Sequence, residues 1–287
     1  MKIKWKSFIA ALAMITTIVS CGEQPSKEEK TAVETGTTPD WKLGVQLWTF
    51  NHFDMQTALL KVDSAAIRYV EAYLGQPFGF GETEVKFGVD ITDAQLEKLN
   101  QLLKEKNIKI NAFGVVVPAN GAEWIKTFEL AKKIGVSYIT AEPIKAHLDT
   151  VNLLAGEYGI PVAIHDHPYP NEYAHPDSVI NAMQGRNHLY ACADIGHWAR
   201  NGLNVVECLQ KLEGRILGVH LKDVSESGNT KAEDVVVGTG VIPMKEVFAE
   251  LKRQGFKGQF SIERENNWWH NLEDVIATKK LFDELSK

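Results

Sequence analysis

At 287 residues, with 44% apolar and 24% charged residues, the chain has the composition of an ordinary globular protein. The length suits one large barrel domain, and two smaller domains are also compatible with it. A formal net charge of −6 argues against a nucleic-acid partner, whose phosphates attract basic surfaces.

The chain begins as a targeting segment. Lys2, Lys4 and Lys6 precede an apolar stretch from Phe8 to Val19 that ends at Ser20-Cys21. A basic start, a short apolar core and a small residue at the cut form the pattern of a secretory signal. The apolar stretch is short for a membrane span. Ile18-Val19-Ser20-Cys21 is similar to a bacterial lipobox, so residues 1–21 are expected to be a lipoprotein signal ending at a lipidated Cys21. The competing reading is an ordinary cleaved signal with an incidental cysteine. An exported protein, held to the membrane by a lipid anchor alone on its periplasmic side or at the cell surface, is the expectation. Residues 22–40 are rich in Glu, Lys, Thr, Ser, Gly and Pro and cannot bury enough apolar surface to order themselves, so they read as a flexible tether. With Cys21 acylated, Cys192 and Cys208 remain and are expected to be free buried thiols.

From Trp41 to Lys287, β-type and helix-type runs alternate, the pattern of an α/β fold with a parallel sheet. Strands are predicted at Leu43–Phe50, Tyr69–Leu74, Ile108–Val117, Tyr138–Glu142, Val162–His167, Leu189–Asp194, Ile216–Lys222 and Gln259–Glu263. Helix-period segments fall between them, among them Asp93–Lys106, Glu123–Ile134 and Met244–Gln254. In the last, Val247, Phe248 and Leu251 share a face, and Gly135 and Gly255 stand where helices stop. Eight strands alternating with helices predict a single-domain (β/α)8 TIM barrel over residues 41–287. An open doubly wound sheet would place a glycine-rich turn after the first strand, but Asn51-His52-Phe53-Asp54 has no glycine. One connection is long, from Lys222 to Pro243, and reads either as a lid or as a surface excursion.

Four runs end in a chemically useful side chain: Glu142, Asp194, His220 and Glu263. A parallel barrel gathers its strand ends at one face, where such residues read as catalytic. Two residues before each stand Thr140, Cys192, Gly218 and Ser261, so strand alternation predicts a layer of small residues beneath them. Three carboxylates and an imidazole form an oxygen-rich set suited to one divalent ion, Mn²⁺, Mg²⁺, Co²⁺ or Zn²⁺. His165, His167, His197 and Lys222 crowd the same rim, with Glu71 a weaker candidate. Trp48 and Trp268 follow neighbouring strands and are suited either to cradling a sugar's apolar face or to core packing.

The ordered set of Glu142, Asp194-x-x-His197, His220-Leu-Lys222-Asp223, Gly238-Thr-Gly240 and Ser261-Ile-Glu263 resembles the xylose-isomerase-like barrel superfamily, which includes sugar phosphate isomerase/epimerase proteins and ketose 3-epimerases. The resemblance implies that Glu142, Asp194, His220 and Glu263 bind one metal, often Mn²⁺, and that His165, His167, His197 and Lys222 contact substrate or support the ligands. AP endonucleases share the scaffold with additional histidines for a multi-zinc site, for which this sequence has no clear extra set. The chemistry expected is proton abstraction beside a sugar carbonyl, with Glu142 and Glu263 as base and acid. Returning the proton gives an epimer or an isomer; losing a β-substituent gives elimination, as in cleavage of a 3-keto-glycoside. Export favours a small carbohydrate without phosphate. A lipid-anchored sugar-binding protein without turnover is the alternative of another class. Oligomeric state is not legible in the sequence.

Overall fold

The computed structural model describes residues 40–287. The signal segment, Cys21 and all but the last residue of the tether lie outside the described residues. Among those described, no helix is long and apolar enough to cross a membrane.

Eight parallel strands close a barrel in chain order: β1 (Lys42–Gln46), β2 (Tyr69–Ala72), β3 (Lys109–Val116), β4 (Tyr138–Ala141), β5 (Val162–His165), β6 (Leu189–Asp194), β7 (Ile216–Leu221) and β8 (Gln259–Ile262), with β8 pairing back onto β1. This is the predicted single-domain (β/α)8 barrel. Most runs end before their predicted limit because the last residues turn away from the ladder. The Gln46 side chain accepts the backbone N–H of Trp48 and starts a 3-10 turn over Leu47–Phe50, which takes Trp48 out of β1. β5 stops at His165, so His167 lies beyond the strand rather than on its inward face.

Helix boundaries follow local chemistry. The helix Asp93–Lys106 opens with a capping box between Thr92 and Gln95, and Gly135 ends Gly121–Ile134 in the left-handed conformation that glycine adopts without strain. Trp41, Phe248, Phe260 and Phe282 meet with ring centroids 5.1 to 6.2 Å apart, fastening the helices Met244–Arg253 and Leu272–Leu285 to β8. Such pairs add roughly 0.5–1.5 kcal/mol each beyond their burial.

The connection after β7 is tied down. Asp223 Oδ1 accepts the N–H groups of Val224 and Ile242, and Oδ2 accepts those of Gly238 and Gly240. A Cβ at Gly240 would lie 2.4 Å from Asp223 Oδ1 and 2.3 Å from the Val224 carbonyl, which explains the second glycine of Gly238-Thr-Gly240. Within this loop Asp223–Val224 and Asp234–Val235 form a short antiparallel ribbon.

The layer of small residues differs from its expectation. Barrel stagger pairs Gly218 with Cys192 and with Gln259, while Ser261 pairs with His220. The room that Gly218 leaves is taken by the Tyr138 hydroxyl, and the Glu71 carboxylate reaches Ser261 from β2. Gly218 and Ser261 thus admit long polar side chains from β4 and β2. Cys192 and Cys208 are free and buried, as expected.

Candidate active site

Asp194 anchors the site. Its Oδ1 accepts the backbone N–H of His197 and caps the helix Ile195–Arg200, while its own N–H is held by Asp166 Oδ1. The other oxygen, Oδ2, is buried without a hydrogen-bond donor. Four cationic or imidazole nitrogens surround it: Lys222 Nζ at 3.2 Å, His197 Nε2 at 3.5 Å, His220 Nδ1 at 3.6 Å and His165 Nε2 at 3.7 Å.

His220, at the centre of the barrel mouth, is fully buried. Its Nδ1 faces Glu263 Oε2 at 2.9 Å and His165 Nε2 at 3.1 Å. Its Nε2 faces the wholly buried Glu71 at 3.1 Å, and Ser261 Oγ donates to the same Glu71 oxygen at 2.8 Å. An ionised Glu71 can only accept, so Nε2 carries the hydrogen and Nδ1 is directed into the site.

Ligand atoms of His165, Asp194, His220 and Glu263 lie within 4.8 Å of one another. Three of these belong to the expected set of four; the fourth is His165, whereas Glu142 stands in an adjoining group with His165 and His167. Glu142 Oε1 meets both imidazoles, and Oε2 accepts Asn171 Nδ2 at 2.8 Å, so the carboxylate is drawn towards the loop after β5. His165 belongs to both groups and joins Glu142 to the cluster around Asp194.

The electrostatics follow from burial and crowding. Burial would raise the Glu263 carboxyl, but the charges of Lys222 and His220 outweigh it and bring its pKa down to about 2. Asp194 is held well below the usual carboxylate range, its burial outweighed chiefly by the charge of Lys222 and by the imidazoles crowded around it. His165 rises to about 9 because the carboxylates of Asp194 and Glu142 beside it overcome its desolvation. His197 goes the other way: burial and the nearby positive charges keep its imidazole neutral despite Asp194. Arg200 Nη1 lies 3.0 Å from His197 Nδ1 and donates to it, which leaves Nε2 to carry the hydrogen towards Asp194.

Nitrogen and carboxylate donors converging on an unpartnered buried oxygen fit a divalent ion. A second group, Glu71, Cys192 and His220, fits one less well, since burial pushes the Cys192 thiol up to about 12 and away from the ligating thiolate. Lys222 Nζ lies 3.2 Å from both Asp194 and Glu263 but is bound closest, at 2.7 Å, to Glu265.

Above the cluster lies a cavity of about 230 Å³, into which Gln46, Trp48, Tyr73, His165, His197 and Glu263 project. Trp48 stands edge-on to Tyr73, ring centroids 5.0 Å apart, and forms one wall. Trp268 is not among the lining residues; it packs against His52 at 5.5 Å, because the segment after β8 runs outward past Glu265. The two tryptophans therefore do not form the shared platform that neighbouring strands suggested. Sequence reasoning passed over Glu265, although it stands two residues after Glu263, and over Arg200 and Asp234. Asp234 pairs with Arg200 and accepts the N–H of Glu265 at 2.7 Å, tying the long loop to the rim.

Residues 59–284 match the family described as xylose isomerase-like TIM barrel. An uncharacterized protein from Parabacteroides distasonis has a similar structure, with TM-score 0.71 and 36% identity over 85% of this chain and 99% of that one. A D-tagatose 3-epimerase-like protein superposes with TM-score 0.68 at 19% identity, covering 85% of this chain and 96% of that one, a likeness of fold alone. An inosose dehydratase from Glaesserella parasuis is 31% identical over 136 residues, 40% of this chain and 44% of the relative. A second inosose dehydratase, from Clostridium botulinum, is 26% identical over 45% of its length, so the chain spans less than half of the curated relatives it matches. On the extent of the family match, the chain belongs to the xylose isomerase-like TIM barrel family.

Proposed function

We propose that this chain is a divalent-metal-dependent enzyme that abstracts a proton beside the carbonyl of a sugar without phosphate. The observation that carries the reading is the cluster of His165, Asp194, His220 and Glu263 at the floor of a cavity just large enough for a small polar molecule. A bound divalent ion would polarise a substrate carbonyl and its neighbouring hydroxyl, acidifying the C–H between them. Mn²⁺ is the metal the family resemblance favours. Asp194, His220 and Glu263 would hold it, with His165 or Glu142 completing the set.

Glu263 projects into the cavity and is placed to accept the proton. Glu142 does not line the cavity, but it touches His165 and His167, which do, and takes the role of partner acid through their protons. Neutral His197 lines the cavity beside substrate oxygens and Trp48 supplies an apolar wall, whereas the Lys222 ammonium lies outside the lining, held by Glu265, Asp194 and Glu263. The basic start and Ser20-Cys21 support export, where sugar phosphates are not expected.

Two fates for the carbanion-like intermediate remain within this reading. Reprotonation gives epimerisation or isomerisation, and one structural neighbour is named D-tagatose 3-epimerase-like. Loss of a β-substituent gives elimination, and the dehydratase names of the two curated relatives favour it as the second reading. Incubating the full chain, loaded with Mn²⁺, with free ketoses and 3-keto-glycosides in deuterated water separates them by the position of deuterium and the release of aglycone. Glu263→Gln and Glu142→Gln are expected to lower exchange by ~10²–10⁴-fold at equal metal occupancy, the usual contribution of an acid or base. Wild-type exchange in a metal-loaded double variant refutes their role. Binding of sugar with no exchange in the wild type would instead identify a lipid-anchored sugar-binding protein.

A further inference from the structure

Among the described residues Lys222 is the only buried lysine, at 0% exposure. Its stem runs past Gly196, in the first turn of the helix Ile195–Arg200, where a Cβ would lie 2.6 Å from its Cγ and Cδ. Glycine at that position lets the stem through. The ammonium ends among three carboxylates, 2.7 Å from Glu265 Oε2 and 3.2 Å from both Asp194 Oδ2 and Glu263 Oε2. It donates a hydrogen bond to Glu265, whereas Asp194 and Glu263 hold it by charge alone.

Asp194 Oδ2 and Glu263 Oε2 also face His220 Nδ1, at 3.6 and 2.9 Å, so they are the oxygens a divalent ion would take. Ammonium and ion therefore draw on the same pair. Glu265 stands apart from that pair and is fixed separately. Its backbone N–H is held by Asp234 Oδ2 at 2.7 Å, and Arg200 turns to Asp234, leaving its guanidinium 3.8 Å from Glu265 Oε2. Ligating imidazoles are neutral. The three carboxylates thus carry as much negative charge as one divalent ion and one ammonium carry positive. Without Glu265, the ammonium beside a bound ion has no counter-charge of its own.

We infer that Lys222 is an exchange partner of the metal: its ammonium neutralises Asp194 and Glu263 when no divalent ion is bound, and Glu265 retains it when the ion takes those two oxygens. Lys222 and Glu265 then set the affinity for the ion in opposite directions. The ammonium competes with the ion and repels it, and Glu265 relieves both effects.

Mn²⁺ is titrated calorimetrically into the metal-stripped full chain at pH 8, and urea midpoints are recorded with and without the ion. Lys222→Met is expected to bind Mn²⁺ about tenfold or more tighter, while its metal-stripped midpoint falls and saturating Mn²⁺ restores most of the loss. Glu265→Gln, at a part-exposed position, is expected to bind about tenfold or more weaker. In the Lys222→Met background the same change is expected to cost less than about threefold, since no ammonium is left for Glu265 to hold. A lysine with a structural role alone would lower the midpoint equally with and without Mn²⁺ and would not tighten binding, and that result overturns the inference. So does a Glu265→Gln loss of equal size in both backgrounds, or no loss at all. Failure of Lys222→Met to fold even with Mn²⁺ overturns it too, because the ion should then serve in the ammonium's place. This exchange rests on the metal part of the proposed function: a wild-type chain that takes up no Mn²⁺ removes both, whereas wild-type uptake with any of the other adverse outcomes removes the exchange alone.

Discussion

The contact between Glu71 and His220 makes a sharp demand on metal affinity. Glu71 is completely buried, accepts from His220 and from Ser261, and has its other oxygen without a hydrogen-bond partner. Burial would raise its pKa, yet the positive charge of His220 and the hydrogen bonds from His220 and Ser261 hold it below the usual range. Glu71→Gln keeps the shape and one acceptor oxygen but removes the charge that holds the Nε2–H of His220. A hydrogen bond to a charged group is worth roughly 1.5–3 kcal/mol, and 1.4 kcal/mol is about a factor of ten, so affinity for the ion should fall ~10–100-fold. That range agrees with the usual cost of losing a carboxylate behind a ligating histidine. Ser261→Ala leaves the Glu71–His220 contact and its charge in place, so its effect on the ion is indirect and is expected to be smaller than that of Glu71→Gln. Calorimetric titration of Mn²⁺ into the metal-stripped full chain measures both variants, with urea midpoints recorded to detect a folding defect. Wild-type affinity in a folded Glu71→Gln variant, or a larger loss in Ser261→Ala, would refute the reasoning.

Two further outcomes are expected. The His165 pKa is raised from 6.5 to about 9, so its stabilisation of the metal-stripped protein is complete below pH 6.5 and lost as pH rises through about 9; that of Glu263, lowered from 4.5 to about 2, is complete above pH 4.5 and lost as pH falls through about 2. The urea midpoint should therefore be highest between these limits, and a midpoint still climbing from pH 7 to 9 contradicts the assignment. Asp223→Asn keeps one acceptor oxygen of two, so two of four backbone N–H groups lose their acceptor and the other two keep a neutral one, and the smaller desolvation of an amide offsets part of the loss. A destabilisation of about 2–4 kcal/mol in urea unfolding is expected, and less than about 0.5 kcal/mol would show that the loop is held otherwise.

The period of apolar residues and the turn chemistry carried the barrel. Strands alternating with capped helices admit few topologies, and the absence of glycine after Phe50 removed the main competitor, so eight strands in chain order were legible without coordinates. Asp194, His220 and Glu263 were legible for the same reason, since a parallel barrel brings every strand end to one face. What the sequence could not decide was which neighbours complete the cluster. Strand ends are local, but the stagger of a closed barrel, the stop of β5 at His165 and the pull of His167 and Asn171 on Glu142 depend on long-range register. Through that register His165 stands beside Asp194, Glu71 reaches His220 across 149 residues, and Trp48 lines the cavity while Trp268 does not.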